Sequence, residues 1–217
     1  MEKKIQSAYK DSKNFYDDIL THESFLSKLY NKVFWGGTND KEIAEKLLSK
    51  IPDNFNGKIL DVPVGTAVFT KNKWNTLNNA IISCLDISTD MLDKAKEKLE
   101  GANINFIRGD VGNMPFENNY FDIVLSMNGF HAFPDKDKAF QEIWRVLKKG
   151  GYFIGCFYVK GESKISDFLV NNILSKKGWF TPPFHTKEEF KELLSSKYFD
   201  IDFNIDGSII YFSCIKL

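Results

Sequence analysis

The sequence has little arginine and no excess of charge of either sign. Arg108 and Arg145 are its only arginines, and 29 basic residues balance 29 acidic ones, so the formal net charge is zero. Nucleic-acid binding favours a basic excess and uses arginine for bidentate contacts to phosphate and guanine. The composition therefore argues against a nucleic-acid substrate, and also against a general affinity for anionic membranes.

Cysteine is scarce, and long apolar runs are absent. Cys84, Cys156 and Cys214 are far apart, form no C-x-x-C pair and lie in apolar runs, which favours free buried thiols in a reducing compartment. No apolar run reaches the roughly 18 residues of a membrane span. The first residues lack the apolar segment of a secretory signal, so we expect a cytoplasmic protein. The scattered histidines predict no metal site.

The order of helical and strand patterns predicts the fold class. The chain has 217 residues, enough for one domain. Residues 1–55 show helical spacing and are expected to form an N-terminal lid. From residue 58 short apolar runs alternate with helices, which predicts a doubly wound, mostly parallel α/β sheet over 56–217, with a helical insertion at about 160–185. Asp206-Gly207 between two alternating runs predicts a final hairpin and an antiparallel last strand.

Acidic residues stand at or just beyond the carboxyl ends of three predicted strands. These residues are Asp61, Asp86 and Asp110. A lone aspartate after a strand is typically a turn former or a helix cap. Three at equivalent places indicate a ligand site, because open α/β sheets bind ligands at this edge. Asp86 follows Gly65 by 21 residues, the usual distance from a glycine loop to a carboxylate that binds ribose.

The loop after the first predicted strand favours a ligand without phosphate. It runs from Asp61 to Ala67 and contains one glycine, whereas a nicotinamide dinucleotide calls for G-x-G-x-x-G. Asp61 would repel a phosphate but suits an ammonium group. A nucleoside with a zwitterionic tail fits better, and S-adenosylmethionine is such a molecule. Ile87 and Met91 are suited to cover a flat ring, although core packing explains them equally well.

Five segments in order resemble the motifs of the class I S-adenosylmethionine-dependent methyltransferases, in the small-molecule branch that includes the ubiquinone/menaquinone biosynthesis methyltransferases. The segments are Lys58–Ala67, Cys84–Lys94, Asn105–Pro115, Phe121–His131 and Ile143–Ile154. The resemblance implies a Rossmann-like sheet of seven strands. The family's loop is usually Asp-x-Gly-x-Gly-x-Gly, and here Pro63 and Ala67 replace the outer glycines.

The resemblance also implies which residues bind S-adenosylmethionine. Asp61, Pro63, Gly65 and Thr66 would hold the methionine part, and Asp86 and Ile87 would hold the ribose. Met91, Asp110 and Val111 would contact the adenine, and Met127 and Asn128 would lie beside the sulfonium. Trp35, just before two glycines, is the candidate lid residue that touches the cofactor.

The acceptor is expected to be a small, partly apolar molecule. His131, after the fourth predicted strand, is the candidate base, and its alternative role is a structural hydrogen bond. The segment Ser126–Gly129 differs from the Asn/Asp-Pro-Pro-aromatic motif of enzymes that methylate nucleic-acid amines. Aromatic residues of the N-terminal helices and the insertion would line the acceptor pocket or pack in the core. The alternative function is a non-catalytic protein that binds S-adenosylmethionine or S-adenosylhomocysteine.

Overall fold

A computed structural model describes residues 39–99 and 103–217. Most of the predicted lid, Trp35 included, lies outside these residues. In chain order the elements are α1 (Asp40–Leu48), β1 (Lys58–Asp61), α2 (Lys71–Trp74), β2 (Ile81–Asp86), α3 (Thr89–Lys98), β3 (Ile104–Arg108), β4 (Phe121–Met127), α4 (Lys136–Val146), β5 (Leu147–Tyr158), α5 (Lys164–Leu169), a π-helical turn (Val170–Leu174), α6 (Lys187–Ser195), β6 (Tyr198–Asp206) and β7 (Ile209–Lys216).

The seven strands form one sheet in the order β3-β2-β1-β4-β5-β7-β6. Neighbours from β3 to β5 are parallel, and β7 runs antiparallel between β5 and β6. The predicted fold class and the antiparallel last strand are confirmed. The chain moves outward from β1 to β3 and then returns to place β4 on the other side of β1. The carboxyl ends of β1 and β4 therefore flank the point where strand order reverses.

Both faces of the sheet are buried, which explains the continuous apolar strands. Ile59 and Ile123 pack into the core on one face, while Leu60 and Val124 pack on the other. Helices cover both faces, as parallel sheets require. The three cysteines are free and buried within this core.

Side-chain caps start several helices where the sequence places them. Asn39 accepts the Glu42 N–H at the start of α1, and Ser88 accepts the Met91 N–H at the start of α3. At α6, Thr186 and Glu189 form a reciprocal capping box. These caps satisfy N–H groups that lack partners within the helix.

Three elements differ from their predicted form. A helix is predicted from about Ala67, but residues 62–70 form turns and α2 begins only at Lys71. The sequence pattern predicts a strand over Tyr152–Tyr158, but β5 begins at Leu147, because a register shift against β4 lets Leu147 pair with Phe121. The inserted helix is short and continues into the π-helical turn.

Across residues 39–99 and 103–217, no helix has the length and apolar character needed to cross a membrane. The same residues contain no group of histidine, cysteine and acidic side chains arranged to hold a metal ion.

Candidate cofactor site

A pocket opens at the carboxyl edge of the sheet, where the strand order reverses. Its walls come from the turns after β1, the end of β2 with the start of α3, the segment after β3, and the segment after β4. Every predicted cofactor-binding residue that the structure describes lines it: Asp61, Pro63, Gly65, Thr66, Asp86, Ile87, Met91, Asp110, Val111, Met127 and Asn128. The fold thus brings them together, and the part of the ligand that each contacts stays a prediction.

The loop after β1 keeps left-handed backbone at two positions despite its altered glycines. Gly65 and Ala67 both have φ of 55°. A Cβ at Gly65 would meet no heavy atom within 4 Å, so this side of the loop faces open space. Ala67 adopts a conformation that glycine tolerates more easily, which preserves the turn without the family's glycine.

Pro63 is accommodated by a glycine from the loop after β4. The Val62–Pro63 peptide bond is cis. A Cβ at Gly129 would collide with Pro63 Cδ and would also lie within 2.7 Å of the Phe133 ring. The absence of a side chain at Gly129 therefore lets the two loops of the pocket pack together.

Asp86, at the end of β2, joins the loop after β1 to the start of α3. Its Oδ2 accepts the Gly65 N–H at 2.9 Å, and its Oδ1 accepts the Ser88 N–H at 2.8 Å. Burial raises the pKa of this carboxyl to about 6, against the effect of these hydrogen bonds. The Ile87 N–H also donates to this carboxylate, which has about four acceptor sites and so keeps capacity for a ribose hydroxyl.

Asp61, at the end of β1, is a buried carboxylate with no cationic partner among the described residues. It is 2% exposed, and its Oδ2 accepts the Trp74 Nε1–H at 2.8 Å. Burial raises its pKa to about 7. A buried carboxylate is stabilised by a nearby positive charge, so this position favours a ligand that carries an ammonium group.

Asp110 combines the two roles that the sequence left open. Its Oδ1 accepts the Gly112 N–H at 2.8 Å, so the side chain forms a turn, and the residue also lines the pocket. Val111 and Met91, which line the same pocket, are buried and apolar. The pocket therefore offers an apolar slot edged by one exposed carboxylate, an arrangement suited to a flat base with an exocyclic amine.

His131 lies behind the pocket wall and does not line the pocket. Its Nδ1 accepts the Tyr158 N–H at 3.3 Å, and its ring stacks on Phe180 with the centroids 4.0 Å apart. Burial, with the nearby Lys136 ammonium adding to it, lowers the pKa of the imidazole to about 3, so the ring is neutral. This placement favours the structural hydrogen bond over the role of base.

The sequence analysis did not identify the apolar side of the same pocket. Its lining also includes Val68, Phe69, Ala132, Phe133 and Pro134. All five lie within three residues of the recognised motifs, and that proximity was the available signal. Two separate loops supply them, so only the fold shows that they line one pocket.

The methyltransferase domain family model matches residues 60–155. The ubiquinone/menaquinone biosynthesis C-methyltransferase UbiE of Wigglesworthia glossinidia brevipalpis is 29% identical over 216 residues, 96% of this chain and 82% of that protein. The protein of the same name from Pasteurella multocida is 35% identical over 131 residues, 56% of this chain and 48% of that protein. The chloroplastic 2-methyl-6-phytyl-1,4-hydroquinone methyltransferase 1 of Oryza sativa subsp. japonica is 30% identical over 128 residues, 58% of this chain and 39% of that protein. The matches thus span less than half the length of two of these relatives.

Solved structures share the fold. A possible histamine N-methyltransferase from Thermotoga maritima superposes with a TM-score of 0.69 at 16% identity, over 98% of this chain and 100% of that chain. Phosphoethanolamine N-methyltransferase 2 of Haemonchus contortus, solved in complex with S-adenosyl-L-methionine, gives a TM-score of 0.69 at 18% identity, over 93% of this chain and 60% of that chain. Residues 60–155 thus match the methyltransferase domain family, the fold is that of the S-adenosylmethionine-dependent methyltransferases, and these comparisons support S-adenosylmethionine as the cofactor.

Proposed function

We propose that this chain transfers a methyl group from S-adenosylmethionine to a small acceptor with a hydroxylated ring and an apolar substituent. The observation that carries the proposal is the composition of the pocket at the strand ends. Its lining combines acidic and glycine residues suited to the cofactor with apolar side chains such as Phe69 and Phe133. A pocket of this kind brings two reactants together and excludes water.

The residues present fit the cofactor. Asp61 offers a buried carboxylate to the ammonium group, Asp86 offers acceptors to the ribose, and Gly65 leaves free space beside the loop. When bound, S-adenosylmethionine supplies an electrophilic methyl group. We also propose that residues 1–55 form the lid of this site, with Trp35 against the cofactor.

The apolar part of the lining supports an acceptor with a ring and a hydrocarbon substituent. Phe69, Phe133 and Pro134 belong to this lining. Relatives of the chain are named as a hydroquinone methyltransferase and as methyltransferases of ubiquinone/menaquinone biosynthesis. Hydroquinones and quinones with hydrocarbon tails are acceptors of this type. A hydroquinone or phenol ring carries its own acidic hydroxyl, which makes the ring nucleophilic once that proton is lost.

The described pocket lining supports transfer driven by alignment. It contains no histidine, lysine, cysteine or tyrosine. The proton acceptors of this lining are then the aspartates that the cofactor is expected to occupy, and we infer that the lining orients an acceptor that ionises in water. The same absence favours the second candidate, a protein that binds the cofactor without transfer.

Calorimetric titration and a transfer assay separate the two candidates. S-adenosylmethionine and S-adenosylhomocysteine are expected to bind, and NAD is not. Methyl transfer is then measured with radiolabelled cofactor on hydroquinones of increasing tail length, simple phenols and amines. Transfer to tailed hydroquinones supports the proposal. Cofactor binding without transfer to any acceptor supports the non-catalytic protein, and failure to bind either sulfur nucleoside contradicts both.

A further inference from the structure

The insertion between β5 and α6 presents an apolar face to solvent. Phe168 and Ile165 on α5 are 63% and 62% exposed, more than any other large apolar side chain in the described residues. Ile173, in the π-helical turn, is 37% exposed and lies two turns further along the same face. The opposite face is buried against the domain and consists of Ser166, Val170 and Leu174. The apolar face of this segment is therefore its solvent-exposed face, and it has no partner among the described residues.

Positive charge borders this face at both ends. Lys164 precedes it and Lys176 follows it, and neither forms an ion pair with a described residue. The Lys177 ammonium lies 4.9 Å from the centroid of the half-buried Trp179 ring. Lysine stems and tryptophan rings are suited to an interface between apolar and aqueous phases.

The acidic side chains of the insertion are already engaged. Asp167 accepts the Tyr158 hydroxyl at 2.6 Å and the Gly161 N–H at 3.0 Å. Glu162 pairs with Lys187 at 3.1 Å. Residues 164–177 hold three lysines and one acid, Asp167, so this segment carries a net positive charge, although the whole chain carries none.

The end of the insertion is fastened to the wall of the cofactor pocket. Phe180 stacks on His131, and the Thr181 N–H donates to the His131 carbonyl at 2.8 Å. The next residues, Ala132 and Phe133, line the pocket. The exposed face and the apolar pocket wall thus belong to two directly packed segments.

We infer that this face, Ile165, Phe168 and Ile173 with the flanking lysines, docks on an anionic lipid surface. An amphipathic helix with a basic border binds at the boundary of headgroups and acyl chains. A second copy of the chain is less suited, because a two-fold contact through this face would bring the lysines of both copies together. The inference extends the proposed function, since a lipid surface is a source of acceptors with apolar tails, but docking is measurable without transfer.

Vesicle flotation of the full chain tests the inference. The probes are vesicles of phosphatidylcholine alone and of phosphatidylcholine with phosphatidylglycerol. We expect the chain to float with the anionic vesicles and to be released by salt. The double variant Ile165→Ser with Phe168→Ser should lower the partition coefficient by about tenfold or more, because two large side chains no longer enter the acyl region.

A matched control and a binding assay keep the outcomes separate. The control variant is Phe199→Ser. Phe199 is 48% exposed and lies at the start of β6, whereas the insertion follows the end of β5, so this change should leave vesicle binding unchanged. Each variant is also titrated with S-adenosylmethionine, and an unchanged Kd shows that the site is intact. Loss of transfer in a chain that still binds vesicles contradicts the proposed function alone.

Three results would overturn the inference. They are no binding of the unaltered chain to anionic vesicles, equal binding by the double variant, and a concentration-dependent dimer in sedimentation velocity that the double variant abolishes. The last result assigns the face to a second copy of the chain.

Discussion

At the residue scale, Asp86 serves both the fold and the pocket, because one carboxylate holds two backbone N–H groups and lines the ligand space. We expect Asp86→Ala to weaken S-adenosylmethionine binding at least tenfold, since the loss of a charged acceptor costs about 1.5–3 kcal/mol. Calorimetry measures the change. Asp93→Ala, on the exposed side of α3, is the control and should bind normally. Normal affinity in folded Asp86→Ala would remove this residue from the site.

Gly65 permits a test with an unusually close control. Gly65 and Gly150 have φ of 55° and 74°, and a Cβ at either would meet no heavy atom within 4 Å. Alanine at either position therefore adds similar strain, about 1 kcal/mol. Of these two glycines, only Gly65 lines the pocket.

We expect Gly65→Ala to weaken cofactor binding at least tenfold, because the added methyl enters the ligand space. Gly150→Ala should lower the unfolding temperature by about as much as Gly65→Ala does, and it should leave cofactor binding unchanged. Equal affinities in the two variants would show that the loop does not touch the cofactor.

His131→Phe tests whether the imidazole is structural. Phenylalanine keeps a ring to stack on Phe180 but leaves the buried Tyr158 N–H without its acceptor. We expect the free energy of unfolding to fall by about 1–3 kcal/mol. The transfer rate per folded molecule and its pH profile should not change. A large loss of kcat at unchanged stability would instead restore His131 as the base.

At the scale of elements, a buried lysine fastens the insertion to the segment after β4. Lys136 Nζ donates to the Phe133 carbonyl at 3.2 Å and also to the Thr181 carbonyl. Burial lowers its pKa to about 8. We expect Lys136→Met to raise the KM for the acceptor several-fold and to leave the Kd for the cofactor within about twofold, because the lost contacts hold the apolar wall.

The exposed Lys138 on the same helix supplies the control. Lys138→Met should behave as the unaltered chain in both assays. An equal rise of KM and cofactor Kd in Lys136→Met would indicate general loosening of the fold and contradict a role confined to the acceptor wall.

At the scale of the whole molecule, Asp61 and Asp86 make ligand-free stability depend on pH. Burial raises their pKa values from 3.8 to about 7 and about 6. Carboxyls with a raised folded-state pKa contribute stability that is complete below the unfolded pKa and is lost as pH rises through the folded pKa.

Asp61→Asn removes one of these groups while its amide oxygen still accepts the Trp74 N–H. The unfolding temperature of the unaltered chain, relative to this variant, should fall as pH rises from about 4 to about 7. Cofactor affinity of the unaltered chain should rise over about pH 5.5–7.5, as Asp61 ionises and before the ligand's amine loses its proton. If the unfolding temperature and the cofactor affinity changed with pH in the same way in the unaltered chain and in Asp61→Asn, this account would be contradicted.

Much of the fold follows from local patterns. Apolar runs of strand length, capping residues such as Asn39 and Thr186, and the Asp206-Gly207 turn act over a few neighbouring residues. Their effects do not depend on distant contacts, so the sheet of seven strands with its antiparallel last strand was predictable. Boundaries failed where a distant partner decides them, as at Leu147, which extends β5 by pairing with Phe121.

The candidate site also contains residues that local sequence patterns predict and residues that only the fold brings to the pocket. Strand-end residues such as Asp61, Asp86 and Asp110 were predictable as a group, because parallel strands deliver their carboxyl ends to one edge. The apolar part of the pocket lining was not predictable, because Phe69 and Phe133 come from separate loops. The sequence placed His131 next to the site but did not reveal that Phe180, from the insertion, holds its ring behind the wall.

The sequence by itself determined the order of strands and helices, the cofactor class and the acidic strand ends, since each depends on short-range spacing and side-chain chemistry. The tertiary structure alone decided which side chains face the pocket, which carboxyls lose solvent and which apolar face of the insertion stays exposed. Burial and facing are set by packing between segments far apart in the chain, and no local spacing specifies them.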